Sequence, residues 1–136
     1  MEEMTLCKKL AEIPHTEWKE DSHFLQTQYH GFDIVIHKVS TTRQQPYTDE
    51  NERIIGYQTI YGDKLTLTVQ QDDITLFRYT GNAWFRNNYS HPPHVRTVGD
   101  LYLHYKDQQH KQIKKKHELK VTVAQAAFEN LIGDIL

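Results

Sequence analysis

The chain has only one cysteine, Cys7, among its 136 residues. A single thiol cannot close an intramolecular disulfide, and a chain of this length can bury a sufficient core without disulfides or a structural metal. Proteins of oxidising compartments often depend on disulfides, whereas proteins of reducing compartments rarely do. The cysteine count therefore predicts a protein of a reducing compartment.

Long apolar runs are also missing. No stretch approaches the roughly 20 apolar residues that are needed to span a bilayer. The first residues, MEEMTLCKKL, lack the charged-then-apolar order of a signal peptide. Together these absences predict a cytoplasmic protein that makes no contact with a membrane.

The sequence lacks the common fingerprints of catalysis. None of its serines, Ser22, Ser40 and Ser90, lies in a Gly-x-Ser-x-Gly elbow, and the six glycines are scattered singly, which excludes a phosphate-cradling loop. Cys7 falls on the apolar side of a short helix, where a thiol is usually inert. We therefore predict no catalytic residue and no cofactor, and a role other than catalysis is favoured.

The length of the chain and its 38% content of hydrophobic residues predict a single domain that covers residues 1–136. The net charge of -2 conceals an asymmetry. Residues 1–52 hold five Lys or Arg against ten Asp or Glu, a local charge of -5, whereas residues 106–120 hold six Lys against two acids, a local charge of +4. This polarity could attract a charged partner, or it could draw two parts of one fold together.

Two segments have the alternating pattern of β-hairpins. In residues 65–79 the acids Asp72 and Asp73 suit a turn. Pairing of Val69 with Ile74 and of Leu67 with Leu76 would give an apolar stripe on one side. In residues 24–39 the turn falls at His30-Gly31, and the predicted pairs are Leu25 with Ile36, Thr27 with Ile34, and Tyr29 with Phe32.

The remaining strands are shorter or less regular. Residues 53–61 predict a third strand that ends at Gly62, and residues 83–86 predict a short sixth strand. Residues 40–52, STTRQQPYTDENE, are polar throughout and have no apolar period, so we expect a loop there.

Helical patterns occupy both ends of the chain. Residues 2–12 predict a short helix with Leu6, Cys7 and Leu10 on one side, and residues 100–117 predict a second. Thr122 with Gln125 matches a capping box that would start a C-terminal helix with a broad apolar face over residues 123–135. If the sheet does not cover this face, it is suited to homodimer formation.

Alternation in every strand favours an antiparallel sheet, since buried parallel strands would read as unbroken apolar runs. The predicted fold is therefore α+β. It consists of an antiparallel meander of five to six strands, with a short N-terminal helix and one or two C-terminal helices packed on one face.

Nine histidines raise the question of a metal site. The nearest candidate pair is His91 and His94, which flank two prolines. In a polyproline II segment their imidazoles share one side but lie about 9 Å apart, which is wide for one ion. Polar surface histidines are the favoured interpretation, and a metal-dependent enzyme is the less favoured one.

The basic segment suggests a second kind of site. Lys106 and Lys114, with His110 and His117, recur at helical spacing and would form a positive ridge together with Lys111 and Lys115. Such a ridge could contact nucleic-acid phosphates, although this segment lacks arginine, the preferred base reader. The favoured interpretation is a solvated helix face that could dock on the acidic N-terminal half.

Aromatic residues supply the third candidate site. Trp84, Phe85, Arg86 and Tyr89 lie close together in sequence and combine the residue types enriched at interface hot spots. Aromatic residues more often build the core, and that alternative stays open here. The sequence therefore predicts a small, non-catalytic cytoplasmic protein that binds another protein through this segment and the neighbouring sheet, with nucleic-acid binding as the alternative.

Overall fold

A computed structural model describes residues 1–85 and 94–135, and it confirms the α+β class. The chain forms one five-stranded antiparallel meander in the order β1-β2-β3-β4-β5, with a helix at each end. The elements are α1 (Glu3–Leu10), a 3-10 turn (His15–Glu17), β1 (Lys19–Glu20), β2 (Phe24–Tyr29), β3 (Phe32–Thr48), β4 (Ile54–Gln71), β5 (Ile74–Phe85) and α2 (Val98–Ile135).

The β2–β3 hairpin has the predicted register. Leu25 pairs with Ile36, and Tyr29 pairs with Phe32 next to the turn. His30 and Gly31 both have positive φ, 51° and 84°, as a type I′ turn requires. The prediction is confirmed because apolar alternation and turn chemistry agree on a single register.

The β4–β5 hairpin keeps its predicted turn but not its predicted register. Asp72 and Asp73 have φ of 49° and 64°, and this tight turn extends the pairing to Gln71 and Ile74. The tight turn alone would place Val69 opposite Leu76, and a bulge shifts the register by one further residue, so that Val69 pairs with Phe77. The predicted pairing of Val69 with Ile74 is therefore wrong. The bulge turns Phe77 toward the core, whereas Ile74 stays 62% exposed.

The predicted loop over residues 40–52 is also wrong, because β3 continues to Thr48 and pairs along β4 from Ser40–Asp63 to Thr48–Ile54. Asp49 closes the connection by accepting hydrogen bonds from the backbone N–H groups of Asn51 and Arg53. β2 pairs with β3 only as far as His37, and β5 pairs with β4 only as far as Tyr61. In the described part of the chain, residues 43–60 therefore form a two-stranded ribbon, which we call the arm.

The second strand of the predicted 65–79 hairpin and the predicted short strand at residues 83–86 form one strand, since β5 is continuous to Phe85. The core lies between one face of the sheet and the two helices. Its principal members are Leu6, Cys7 and Leu10 from α1, Leu25, Ile34, Ile36, Leu65 and Leu67 from the sheet, and Val98, Leu101, Tyr102 and Tyr105 from α2. Trp18 closes the edge of this core, with its ring edge-on to Tyr105 at 6.5 Å between centroids.

α2 is a single helix rather than two. It begins with a capping box, in which Thr97 Oγ1 accepts the Asp100 N–H and Asp100 Oδ2 accepts the Thr97 N–H, both at 3.2 Å. No second helix starts at Thr122, whose hydroxyl instead donates to the Glu118 carbonyl one turn earlier, as a residue inside a helix does. The predicted capping box at Thr122 is therefore wrong.

Only the first part of α2 packs on the sheet. Gly99 lies so close to β5 that a Cβ there would stand 2.2 Å from the Asn82 carbonyl oxygen. His15 and Gln112 hydrogen-bond through their side chains near the end of this contact. Residues 113–133 are all exposed. We call residues 98–112 the docked segment and residues 113–133 the distal segment of α2.

None of the described helices is long and apolar enough to cross a membrane.

Candidate protein-interaction surfaces

The predicted aromatic site lies only partly within the described residues. Trp84 and Phe85 end β5 and are both half-buried, whereas Arg86 and Tyr89 lie outside the described residues. Phe85 is turned to the helix side, where its ring centroid lies 6.3 Å from that of Tyr102. Trp84 therefore falls on the opposite face of the sheet, the one that the helices leave open.

Trp84 packs at the base of the arm. It pairs with Gly62, where a Cβ would approach the indole Cε3 to 2.7 Å, so only glycine lets the ring lie this close to β4. The Arg43 guanidinium lies over the indole, 4.6 Å from the ring centroid, in a cation–π contact. Ile60 pairs with Arg43 and is buried on the same face. This cluster joins the arm to the rest of the sheet.

The tyrosines divide into two groups that the sequence did not distinguish. Tyr102 and Tyr105 are buried in the core, as expected for structural aromatic residues. Tyr57 and Tyr61, in contrast, are 62% and 66% exposed. Because residues four apart in a strand point the same way, both rings lie on one face of β4, Tyr57 on the arm and Tyr61 at its base, about 13 Å apart.

Further apolar side chains are exposed on the arm. Ile54 and Ile55 project at the start of β4, and Tyr47 lies across Gly56, where a Cβ would meet its hydroxyl oxygen at 2.4 Å. The sequence prediction missed this surface because it assigned half of the arm to a loop. The usable signal was the equal length of residues 40–48 and 54–62 and their content of threonine and tyrosine, which favour strands.

The basic segment is not one continuous ridge. Lys106 belongs to the docked segment, where its Nζ forms an ion pair with Glu20. Lys38 Nζ lies 3.6 Å from the other Glu20 oxygen, and both ammonium groups lie over the Tyr102 ring, at 5.8 Å for Lys38 and 5.5 Å for Lys106. The acidic N-terminal half and the basic segment thus meet inside the fold, at Glu20 and Lys106.

The other predicted lysines are more exposed. Lys111 forms an ion pair with Asp107 at 3.1 Å, one turn earlier on the same helix. Lys114 and Lys115 are exposed on the distal segment. These positions could contact phosphates only as isolated charges, without the geometry that reads a base.

The distal segment also carries large apolar side chains in water. Phe128 is 63% exposed, Leu131 59% and Val121 40%, and Ile132 lies beside them. The sequence predicted the apolar face but not its exposure, which depends on where the helix leaves the sheet.

Metal and thiol chemistry find little support in the described residues. His94 is exposed, and His91 lies outside the described part of the chain. No group of three or more potential metal ligands occurs within residues 1–85 and 94–135. Burial raises the pKa of the Cys7 thiol to about 12, with smaller contributions from the Glu3 and Asp100 carboxylates, so the thiol stays protonated and unreactive near neutral pH.

Comparison of the chain with protein-family models, with curated proteins and with solved structures finds no match. A function for this protein must therefore be argued from its own surface. The described surface offers three features: the arm with its exposed tyrosines, the lysines of the distal segment, and the apolar side of that same segment.

Proposed function

We propose that this protein is a non-catalytic binding protein that recognises another protein through the arm. The observation that carries the proposal is the exposure of Tyr57 on the arm and Tyr61 at its base, on one face of β4, with Ile54 and Ile55 also exposed at the far end of the arm. Tyrosine is enriched in protein interfaces, where its large ring is buried and its hydroxyl finds a hydrogen-bond partner.

The shape of the arm supports the same role. A two-stranded ribbon is only marginally stable by itself in water and gains stability when another surface covers it. The contacts of Trp84 with Arg43 and Gly62 hold the base of the arm in place, so the exposed residues are presented in a defined geometry. Trp84, Phe85, Arg86 and Tyr89, the contact residues predicted from the sequence, remain part of the proposed contact region.

The proposal also covers location and self-association. The single, buried Cys7 is consistent with a protein that works in the reducing cytoplasm. We further propose that the exposed apolar side of the distal segment pairs with a second copy of the chain. A solvated helix of this composition would otherwise leave Phe128 and Leu131 in water without compensation.

Nucleic-acid binding is the second candidate function, and it is favoured by the exposure of Lys114 and Lys115 on a helix that stands clear of the sheet. Its affinity would come from phosphate contacts and would therefore fall steeply with salt. Reversal of both charges, Lys114→Glu with Lys115→Glu, would abolish it. Lys106 would contribute little, because Glu20 already pairs with it.

A metal-dependent enzyme that uses histidines of different strands brought together by folding is the third hypothesis, and His91 and His94 are its nearest candidate pair in the sequence. Elemental analysis of the purified protein tests it directly. Stoichiometric zinc, manganese or iron that is lost in a His94→Ala variant would establish a site, and a melting temperature that falls in chelator would link that site to stability.

The experiment that tests the main proposal is affinity capture from native lysate at low and high salt, with and without nuclease, followed by mass spectrometry. Each captured protein is then purified and titrated against three forms of the chain. These are the native chain, a Tyr57→Ala/Tyr61→Ala variant, and a Tyr29→Ala control, which removes another exposed tyrosine, 54% exposed, at the opposite end of the sheet.

We expect a partner whose binding survives salt and nuclease and weakens at least tenfold in the double variant, because truncating an interface hot spot costs about 2 kcal/mol or more. The Tyr29→Ala control should bind normally. Equal loss in both variants would contradict the role of the arm. Recovery of nucleic acid that is released by salt would transfer the function to the lysines.

A further inference from the structure

We propose that the distal segment of α2 pairs antiparallel with the same segment of a second copy, in a register that places each Phe128 against the partner's Ala124. This inference rests on the self-association proposed above and specifies its geometry. It depends on three observations: the spacing of the apolar residues, the positions of the lysines, and the exposure of the whole segment.

The apolar residues form a stripe with coiled-coil spacing. Val121, Ala124, Phe128 and Leu131 follow one another at intervals of three, four and three residues, which places them on one side of a helix. All four are exposed, and Ile132 widens the stripe on one side. Three apolar positions per seven residues are typical of a helix that packs against another helix.

The exposure of the segment indicates that its partner is missing from the single chain. Residues 113–133 form about six helical turns and are all exposed. Helices in proteins gain most of their stability from packing of an apolar face, and isolated ones are only marginally stable. A second copy provides an apolar face of the same length and width, because it is the same sequence.

The lysines decide the direction. Lys114 lies seven residues before Val121, on the stripe side of the helix, so in a parallel pair the two copies of Lys114 would face each other about 10 Å apart, with like charges opposed. In an antiparallel pair centred near residue 126, the two copies of Lys114 are separated by about 36 Å along the axis, from 1.5 Å per residue. That separation is several times the Debye length of about 8 Å at physiological salt, so the repulsion is screened.

The same register makes the stripe self-complementary. Phe128 faces the partner's Ala124, and Val121 faces the partner's Leu131, so that each large side chain meets a smaller one. Two-fold symmetry repeats both layers, giving four apolar layers from four residues per chain. A parallel arrangement would instead stack Phe128 on Phe128 and leave Ala124 opposite Ala124, with a gap between them.

The first test is the mass in solution by light scattering over a range of protein concentrations. We expect the native chain to approach twice its 16.1 kDa mass as the concentration rises. Phe128→Asp should stay at 16.1 kDa at every concentration. Leu119→Asp is the matched control, since Leu119 is 65% exposed but lies nine residues away, on the opposite side of the helix, and this variant should still dimerise.

The second test measures direction. Spin labels are attached to single cysteines introduced as Lys115→Cys or Ala126→Cys, both turned away from the stripe, and the distance between the labels of a dimer is measured by electron spin resonance. The antiparallel pair predicts that the distance at residue 115 exceeds that at residue 126, because the axial offset is about 33 Å at the first and near zero at the second. Native protein treated with the label measures any background from the buried Cys7.

The outcomes separate this inference from the self-association on which it rests. A native chain that stays monomeric at every concentration would overturn both. A dimer with equal label distances at residues 115 and 126 would keep the self-association and overturn the antiparallel register. A dimer that persists in Phe128→Asp would place the interface elsewhere and overturn the inference.

Discussion

The two segments of α2 belong to one continuous helix, yet they are stabilised in different ways. In the docked segment, Val98 and Tyr102 are buried, a capping box closes the first turn, and Lys106 pairs with Glu20 on β1. In the distal segment, residues as apolar as Phe128 and Leu131 lie in water. Apolar content alone therefore does not determine which part of a helix is buried.

The difference separates the part of α2 that stabilises the monomer from the part that is available for association. The docked segment follows the sheet until the contact between His15 and Gln112, and beyond that point the described chain offers nothing opposite the helix. Substitutions in the docked segment should therefore change the free energy of unfolding of the monomer. Substitutions in the distal segment should change association instead.

The largest contrast is expected between Tyr102→Ala and Phe128→Ala. Tyr102 is only 2% exposed, and truncating a buried aromatic side chain costs about 3 to 5 kcal/mol. Phe128 is exposed, so its truncation should change monomer stability by less than about 0.5 kcal/mol. Urea unfolding at a concentration too low for self-association measures both, and similar losses would show that the distal segment packs within its own chain.

Two ion pairs of the docked segment, one largely buried and one exposed, offer a second contrast. Glu20→Ala leaves the ammonium groups of Lys38 and Lys106 without their carboxylate, and the Lys38 side chain is only 9% exposed. Removing one partner of a buried pair costs about 3 kcal/mol. Asp107→Ala would disturb other contacts, so the matched control is Lys111→Ala, whose side chain is 66% exposed and whose removal should cost less than about 0.5 kcal/mol.

The measurement is again urea unfolding of each variant beside the native chain. A Glu20→Leu variant keeps the side-chain volume but leaves the same two lysine charges unpaired, so an equal loss in Glu20→Leu and Glu20→Ala would assign the loss to the unpaired charges rather than to lost packing. If Glu20→Ala and Lys111→Ala lose equal amounts, the Glu20 contacts contribute no more than surface ion pairs.

Alanine substitutions at two glycines of α2 should change the stability of the protein in opposite directions. At Gly99 an added Cβ would stand 2.2 Å from the Asn82 carbonyl oxygen, so Gly99→Ala must push the docked segment away from β5, at about 2 kcal/mol. At Gly133 an added Cβ meets nothing within 4 Å, and alanine is the better helix former, so Gly133→Ala should stabilise the helix by about 0.5 to 1 kcal/mol. Thermal unfolding followed by circular dichroism checks both. No gain in Gly133→Ala would mean that the end of the distal segment is not helical in solution.

Some elements could be predicted from sequence because their signals are local. The β2–β3 register follows from apolar alternation and the His30-Gly31 turn, which lie within a few residues of each other. The bulge that pairs Val69 with Phe77 has no such local signal. The turn and the apolar stripe of residues 65–79 favour different registers, and the packing of side chains against the core decides which register forms.

The arm and the candidate sites were harder to predict for a related reason. Residues 43–48 are all exposed and therefore have no apolar stripe, so the pattern that normally identifies a strand is absent there. The partner of Lys106 is Glu20, which lies 86 residues away, and only the charge asymmetry of the sequence hinted at such a contact. The exposure of Phe128 depends on where α2 leaves the sheet, and no residue within the helix marks that point.

The pH dependence of stability tests how firmly the docked segment packs on the sheet. Burial, with help from Glu3 and from Asp100 at the start of α2, raises the pKa of the Cys7 thiol from 9.0 to about 12 in the folded chain. In the unfolded chain the thiol ionises near pH 9, so the stability contributed by the raised pKa is complete below pH 9 and is lost as the pH rises toward 12. In that window the native chain should lose about 1.4 kcal/mol per pH unit more than Cys7→Ala. Urea unfolding at pH 8, 9 and 10 measures the slope, and Cys7→Ala/Lys115→Cys is the control, because an exposed thiol on the distal segment should ionise alike in both states. A native slope equal to that of Cys7→Ala would mean that Cys7 is accessible to water, and that the docked segment opens from the sheet more readily than its buried residues indicate.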